Sequence, residues 1–168
     1  MKASTSTWVI SSATAATPTT SGAFLDWRSF KAYGANLGGW LEKEQTHDPI
    51  WWAGVVNATE VTDEWHLCQT HGEECGPTLE ARYESYFNTS TIDQLASVGV
   101  NILRIPNTYA AWVEVLGSEL YHGKQKSYLK TICDYAIKTY GIHVIIGLHS
   151  LPGGVNNLDI GEALMISL

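Results

Sequence analysis

The chain lacks the features that would place it in a membrane or on a nucleic acid. No apolar run among its 168 residues approaches the ~18 residues that a membrane-spanning helix needs. Ten Lys and Arg residues stand against seventeen Asp and Glu, the net charge is −7, and no basic run occurs. Nucleic-acid-binding proteins carry a clustered basic surface. The sequence therefore predicts neither a membrane nor a nucleic acid as a partner.

The start of the chain also lacks the apolar segment of a secretory signal peptide, which needs about 7–15 apolar residues. Residues 1–22 are rich in Ser, Thr and Ala, and their apolar cluster is only Trp8-Val9-Ile10. We therefore expect residues 1–22 to be a disordered leader. The rest of the chain has the mixed composition of one globular domain, since 45% of all residues are hydrophobic and 16% are charged.

Cysteine is scarce, and the three that occur are not equivalent. Cys68 and Cys75 lie in a polar segment with glycine, whereas Cys133 lies on an apolar helical face. One local disulfide between Cys68 and Cys75 and one buried thiol fit this layout and indicate an oxidising compartment. The alternative is a zinc site that includes His66 and His71. Their spacing matches no usual zinc pattern, so we expect no metal.

Two N-x-[ST] sequons, at Asn57 and Asn88, are candidate glycosylation sites and together with the cysteines favour secretion. Alternatively, Asn88 serves only as a helix cap. Aromatic residues are plentiful, with seven Trp and eight Tyr. Core packing is the simpler interpretation of each ring, and the other is a flat platform for a ligand with apolar faces, such as a sugar.

Strands and helices alternate in the predicted secondary structure. This order indicates a parallel sheet with helical crossovers, and therefore an α/β fold. Three strands are too few for a closed (β/α)8 barrel, which has eight strands and about 250 residues, so the chain is either a small open sheet or the front part of such a barrel. We predict strands at Tyr33–Asn36, Val100–Ile105 (closed by Pro106) and Ile142–Leu148, the last one buried. Helices are predicted at 63–71, 77–87, 90–98 (with a Ser90/Asp93 capping box) and 124–140, a long loop at 45–62, and a helical turn at 111–116.

Polar side chains follow each predicted strand. In a parallel α/β fold the carboxyl ends of the strands share one face, so these groups would converge near tryptophans and suit a polyhydroxylated ligand. The alternatives are an ion pair for Arg104, a core position for His149, a solvated carboxylate for Glu42 or Glu44, and a helix cap for Asp159. The residues concerned are Glu42, Glu44, Arg104, His149, Asn156 and Asp159.

Three motifs carry a resemblance to a known family. They are GANLGGWLEKE (Gly34–Glu44), NILRIP (Asn101–Pro106) and LHSLPGGVNNLD (Leu148–Asp159). In this order they resemble the fungal exo-β-1,3-glucanases of glycoside hydrolase family 5. The resemblance implies a (β/α)8 barrel, release of glucose from β-1,3-glucan with retention, no cofactor, and an extracellular or cell-wall location. Residues 23–168 would then be an incomplete glycoside hydrolase domain, the amino-terminal part of the barrel with about three βα units.

The resemblance also assigns roles by motif position. Glu44 would bind sugar hydroxyls in the first subsite, and His149 would line that subsite. Asp159 would hold sugar hydroxyls, with Asn156 as a weaker neighbour. Arg104 would brace the nucleophilic carboxylate. The expected partner is β-glucan or an oligosaccharide.

One departure from the family concerns the catalytic groups themselves. A retaining glycosidase needs two carboxylates, an acid/base and a nucleophile. The family's acid lies in an Asn-Glu-Pro motif after the fourth strand and its nucleophile follows the seventh, yet no Asn-Glu pair occurs here. We therefore expect the chain to be inactive alone. The alternatives are a non-catalytic carbohydrate-binding or decoy protein and a truncated gene product of poor solubility.

Overall fold

The structure, a computed structural model, describes residues 25–154. The elements, in chain order, are β1 (Gly34–Asn36), α1 (Pro49–Val55), α2 (Glu64–His71), α3 (Cys75–Tyr86), α4 (Thr89–Ser97), β2 (Ile102–Asn107), α5 (Gln125–Tyr140) and β3 (His143–Leu148), with 3-10 turns at Gly72–Glu74 and Tyr109–Ala111. The three strands form one parallel sheet in the order β1-β2-β3. The predicted α/β class is therefore confirmed. No helix among residues 25–154 is long and apolar enough to cross a membrane.

The core lies between the sheet and the helices that connect its strands. Leu103 and Ile105 of β2 are fully buried and belong to the same apolar cluster as side chains from α4 and α5. The amphipathic stripe of α5 predicted this contact, because its apolar residues recur every three or four positions. The helical side chains in the cluster include Ile92 of α4 and Leu129, Ile132 and Ala136 of α5.

The prediction of a long loop over residues 45–62 is wrong, because α1 forms there. Pro49 stands in the first turn of the helix, where its missing N–H costs no hydrogen bond. Trp52 is fully buried, and its indole Nε1 donates to the carbonyl of Val61 (2.6 Å). The helix is stabilised by this buried contact more than by its seven residues of backbone.

The start of α4 also differs from the prediction. Asn88, rather than Ser90, is the N-cap, and its Oδ1 accepts a hydrogen bond from the backbone N–H of Thr91 (3.2 Å). The Thr91 hydroxyl accepts in return from the N–H of Asn88 (3.4 Å). Asp93 lies too far along the helix to cap it. Its Oδ1 accepts instead from the hydroxyls of Tyr135 and Tyr140, both at 2.7 Å.

Two further predicted helix boundaries differ from those in the structure. The helix α3 begins at Cys75 and not at Pro77, and the helical turn after β2 covers Tyr109–Ala111 rather than 111–116. Pro106 does not close β2 but lies within it. The carbonyl of Arg104 accepts from the N–H of Leu37 (2.9 Å), so Pro106, two residues on, faces the same side. β1 pairs with β2 only as far as Arg104, so the N–H that proline lacks would have had no partner in β1.

The third strand is less buried than predicted. Ile145, Ile146 and Leu148 are each about half exposed. Ile146 pairs with Ile105 and shares its face of the sheet, yet Ile105 is fully covered. Helix α5 packs against the start of β3, where Val144 contacts the core, but leaves Ile146 and Leu148 uncovered at the edge of the described sheet.

Candidate functional site

The polar side chains at the carboxyl ends of the strands meet around Arg104. Nη1 of Arg104 donates to Oδ1 of Asn36, at the end of β1 (3.2 Å). Nη2 donates to Nδ1 of His149, which directly follows β3 (3.1 Å). The register explains the meeting, because Asn36 and Arg104 are direct partners in the parallel ladder. The structure thus places Arg104 and His149 together, as the sequence predicts.

His149 is held as a neutral donor. A guanidinium only donates hydrogen bonds, so the Nδ1 atom that Arg104 contacts carries no proton, and Nε2 carries the ring proton. Burial and the charge of Arg104 lower the pKa of His149 below its usual value, although Glu44 acts in the opposite direction. An Nε2–H group is therefore available to donate to a ligand oxygen.

Two small residues that sequence reasoning missed make room for Arg104. Asn36 accepts its hydrogen bond, and Gly147 lies beside it on β3. A Cβ on Gly147 would lie 3.4 Å from both Nε and Nη2 of the guanidinium. Only the strand register reveals these partners, and register is not visible in a single sequence.

Glu44 is buried beside the same group. Its side chain is about one-tenth exposed, and its Oε1 lies 3.3 Å from Nδ1 of His47. The Glu44 charge acts to raise the pKa of His149, so the two side chains are close enough to interact electrostatically. The alternative of a solvated Glu44 is wrong. Asn156 and Asp159, the other predicted binding residues, lie outside the described residues.

Glu42 is more deeply buried than Glu44, which contradicts the alternative of a solvated carboxylate here as well. Its side chain is completely covered, and neither carboxyl oxygen has a hydrogen-bond partner among residues 25–154. Burial, and the neighbouring Glu64 and Glu44 charges, raise the pKa of Glu42 to about 9, although Arg104 acts to lower it. Glu42 is therefore a neutral acid at pH 7.

A further buried carboxyl group, Glu64 at the start of α2, was not found from the sequence. It accepts a hydrogen bond from the backbone N–H of Lys43 (2.7 Å), while its Oε1 has no hydrogen-bond partner in the described part of the chain. Burial raises its pKa to about 7. An acidic residue in the first turn of a helix is usually solvated, so the sequence carries no signal for its burial.

Lys43 anchors the segment that carries Glu42 and Glu44. It is fully buried, and its Nζ donates to the carbonyl of Gly39 (2.9 Å) and to Asp48 (2.6 Å). Arg82 of α3 makes two hydrogen bonds to the same Asp48 carboxylate, at 2.7 and 3.0 Å. Burial lowers the pKa of Lys43, and Asp48 counteracts this. The ammonium also lies over the rings of Trp51 (4.7 Å) and Tyr86 (4.6 Å).

The remaining candidate residues lie away from this group. A disulfide joins Cys68 to Cys75, and Cys133 is a half-buried free thiol. Asn57 and Asn88 are both exposed. In the part of the chain that the structure describes, no cluster of three or more His, Cys, Asp or Glu residues could hold a metal ion.

Comparisons with known proteins agree with the motifs, although no family model matches the chain. Glucan 1,3-beta-glucosidase 1 of Schizosaccharomyces pombe is 36% identical over 136 residues, which are 80% of this chain and 33% of that protein. The glucan 1,3-beta-glucosidase of Lachancea kluyveri is 31% identical over 142 residues, 81% of this chain and 32% of that protein. The chain thus spans about a third of the length of these curated relatives.

A solved structure shares both fold and sequence with the chain. The rutinosidase from Aspergillus niger superimposes with a TM-score of 0.79 at 54% identity, covering 84% of this chain and 39% of that one. The prediction that the three strands form the amino-terminal part of a (β/α)8 barrel is confirmed.

Proposed function

We infer that this chain, a relative of the fungal glucan 1,3-beta-glucosidases of glycoside hydrolase family 5 over most of its length, carries one sugar-binding wall of a glycoside hydrolase site. The observation that supports this best is the Arg104–His149 hydrogen bond at the carboxyl ends of the strands. It fixes a neutral ring donor beside the buried Glu44. A donor and an acceptor side by side match a sugar, whose neighbouring hydroxyls both accept and donate.

Each residue of the site has a different role in binding. The Glu44 carboxylate accepts hydrogen bonds from sugar hydroxyls, and Nε2–H of His149 donates to one. Arg104 keeps His149 in the required tautomer and braces the nucleophilic carboxylate of the complete site. Asn156 and Asp159 are proposed to extend the wall toward the same sugar.

We propose that the 168-residue chain alone does not hydrolyse glycosides. Retention of configuration requires two carboxyl groups about 5–5.5 Å apart that act as acid/base and nucleophile. Glu42 and Glu64 are closed off from ligand by burial, and Glu44 has a binding role. Incubation of the purified chain with laminarin should release no glucose, and measurable release would overturn this part of the proposal.

Two substrates are supported to different degrees. The relatives named glucan 1,3-beta-glucosidases favour β-1,3-glucan, at 31–36% identity. The rutinosidase, at 54% identity, favours a rutinoside. Both ligands present a β-linked glucose unit, so the wall of Glu44, Arg104 and His149 would bind the part they share.

Calorimetric titration with laminaribiose and with rutin tests the proposal. We expect Glu44→Gln and His149→Ala to weaken binding at least tenfold, because each removes a hydrogen bond that involves a charged or oriented group. His71→Ala, which removes a histidine from the far end of α2, serves as the matched control and should bind as the wild type does. Equal affinity in all four proteins would contradict the proposed site.

The same titration, together with thermal unfolding, separates the alternative functions. If the chain binds tightly but shows no hydrolysis at any oligomeric state, a non-catalytic carbohydrate-binding or decoy protein is favoured. A truncated gene product would show no cooperative thermal unfolding, whereas a folded domain unfolds in one transition.

We also propose an extracellular location, supported by the Cys68–Cys75 disulfide and by the exposed sequons. Asn57 is exposed, and its Oδ1 accepts from the hydroxyl of Thr59 (2.8 Å), the third residue of the sequon. Expression in a glycosylating host should give a glycan that Asn57→Gln removes. Asn88→Gln reports on the second sequon in the same way, and an unmodified wild-type chain would contradict the proposal.

A further inference from the structure

We propose that Trp112 is a platform for a flat, apolar ligand face, beside the site formed by Arg104 and His149. The ligand group is a second sugar ring or an aromatic aglycone, attached to the glucose that the site binds. This inference rests on the proposed function and extends it, because it adds a second binding position to the same site.

The position of Trp112 follows from the end of β2. Its indole N–H donates to Oδ1 of Asn107, the last residue of that strand. The Asn107 amide is oriented by its own Nδ2, which donates to the carbonyl of Ile105 (3.3 Å). The carbonyl of Asn107 accepts from the N–H of His149 (3.0 Å). A single residue therefore links the indole to the histidine of the site.

Trp112 is fixed and yet exposed. Its backbone N–H donates to the carbonyl of Tyr109 (2.8 Å), so both ends of the residue are held. The side chain nevertheless leaves 41% of the residue in contact with solvent. By contrast, Trp40 and Trp52 also donate their indole N–H to fixed acceptors but are almost fully buried in the core.

A fixed, exposed ring is suited to binding. Little conformational freedom is lost when a ligand covers it, so most of the contact energy is available to the complex. The indole face offers a broad apolar surface to the C–H side of a sugar or to an aromatic ring. Its location at the strand ends places that surface on the face where (β/α)8 enzymes bind their ligands.

The chain offers a matched control in Trp27. That ring is even more exposed, at 66%. It lies 5.8 Å from His143, the first residue of β3, and 5.5 Å from Phe30, measured between ring centres. Trp27 therefore lies near the amino end of β3, away from the strand ends that carry Arg104 and His149.

The experiment uses the full chain labelled with 5-fluorotryptophan and followed by fluorine NMR. Trp112→Phe and Trp27→Phe assign the two resonances. Titration with laminaribiose or rutin should shift the Trp112 resonance and leave that of Trp27 in place. A shift with laminaribiose alone indicates a sugar platform. A shift with rutin alone indicates a platform for the quercetin ring or for the rhamnose that rutin also carries, and quercetin 3-β-glucoside, which lacks the rhamnose, decides between them.

Affinities then test the energetic role. We expect Trp112→Ala to weaken binding of the responding ligand about tenfold, with Trp112→Phe restoring most of it. Binding of methyl β-glucoside, which has one ring only, should fall with His149→Ala but not with Trp112→Ala. Trp27→Ala should leave every affinity unchanged.

The outcomes separate the two proposals. If His149→Ala weakens binding while the Trp112 resonance and the Trp112→Ala affinity stay unchanged, the platform is overturned and the proposed function stands. If the wild-type chain binds none of the three ligands, both are overturned. Because the resonance is read in the wild-type fold, misfolding of one variant does not prevent a decision.

Discussion

Single residues after β1 differ sharply in what surrounds them, although they are close in sequence. Glu44 keeps some exposure and a histidine partner. Glu42, two positions earlier, is fully buried, and its two oxygens have no hydrogen-bond partner within the described residues. Lys43 between them points into its own buried contacts with Gly39 and Asp48. The segment thus separates a partly exposed carboxylate, which we propose binds the ligand, from a buried acid.

We expect Glu42→Gln to make stability less dependent on pH. The Glu42 carboxyl ionises near pH 4.5 in an unfolded chain but near pH 9 in the folded one. Between these values the folded state retains a proton that the unfolded state releases. The free energy of unfolding therefore falls as pH rises, by about 1.4 kcal/mol per pH unit for this group.

Urea unfolding at several pH values measures this effect. The variant should match the wild type near pH 4 and be more stable at pH 8, because Gln is neutral throughout. Glu64→Gln is the matched control, since its carboxyl has a pKa of about 7 and its effect should level off above that pH. A wild-type stability that does not fall between pH 7 and 8.5 would contradict a buried, protonated Glu42.

The convergence of Arg104 and His149 is predictable from sequence, because parallel strands carry their carboxyl ends to one edge. The burial of Glu42 is not. It depends on α2 and on the Lys43–Asp48–Arg82 contacts, which bring residues 34 positions apart together. Charged side chains are usually exposed, and a single sequence gives no sign of such an exception.

Among the elements, length and periodicity decide which could be predicted. The helix α5 has sixteen residues and a regular apolar stripe, and its predicted bounds differ from the structure by one residue. The helix α1 has only seven residues, including Pro49 and two tryptophans, so no repeat is visible. Its formation follows from the burial of Trp52, a tertiary contact.

We expect Asn88→Ala to destabilise the domain by about 1 kcal/mol, because it removes the N-cap of α4. Ser90→Ala should change the free energy of unfolding by much less, since Ser90 is exposed and is not the cap. Both proteins are to be made in a bacterial host, where Asn88 carries no glycan. A larger loss for Ser90→Ala would restore the capping box predicted from sequence.

Across the whole molecule, the sheet is covered unevenly. Helices bury the central strand, and Leu103 and Ile105 have no exposed surface. Of the described strands only β2 pairs with β3, and Ile145 and Ile146, which point to opposite faces, are both about half exposed. This pattern fits the first strands of a barrel, in which each parallel strand is normally covered on both faces.

We therefore expect the chain to self-associate through β3. Ile146 and Leu148 lie on one face of the strand, at 49% and 56% exposure, next to an edge that can pair with another chain. Sedimentation velocity at increasing concentration should show species larger than the monomer. Ile146→Thr with Leu148→Thr should shift the population toward monomer, because the apolar area at the edge is reduced. Ile50→Thr, at an 89% exposed position on α1, is the control and should leave the distribution unchanged. A wild-type chain that remains monomeric at all concentrations would mean that the edge of β3 is protected.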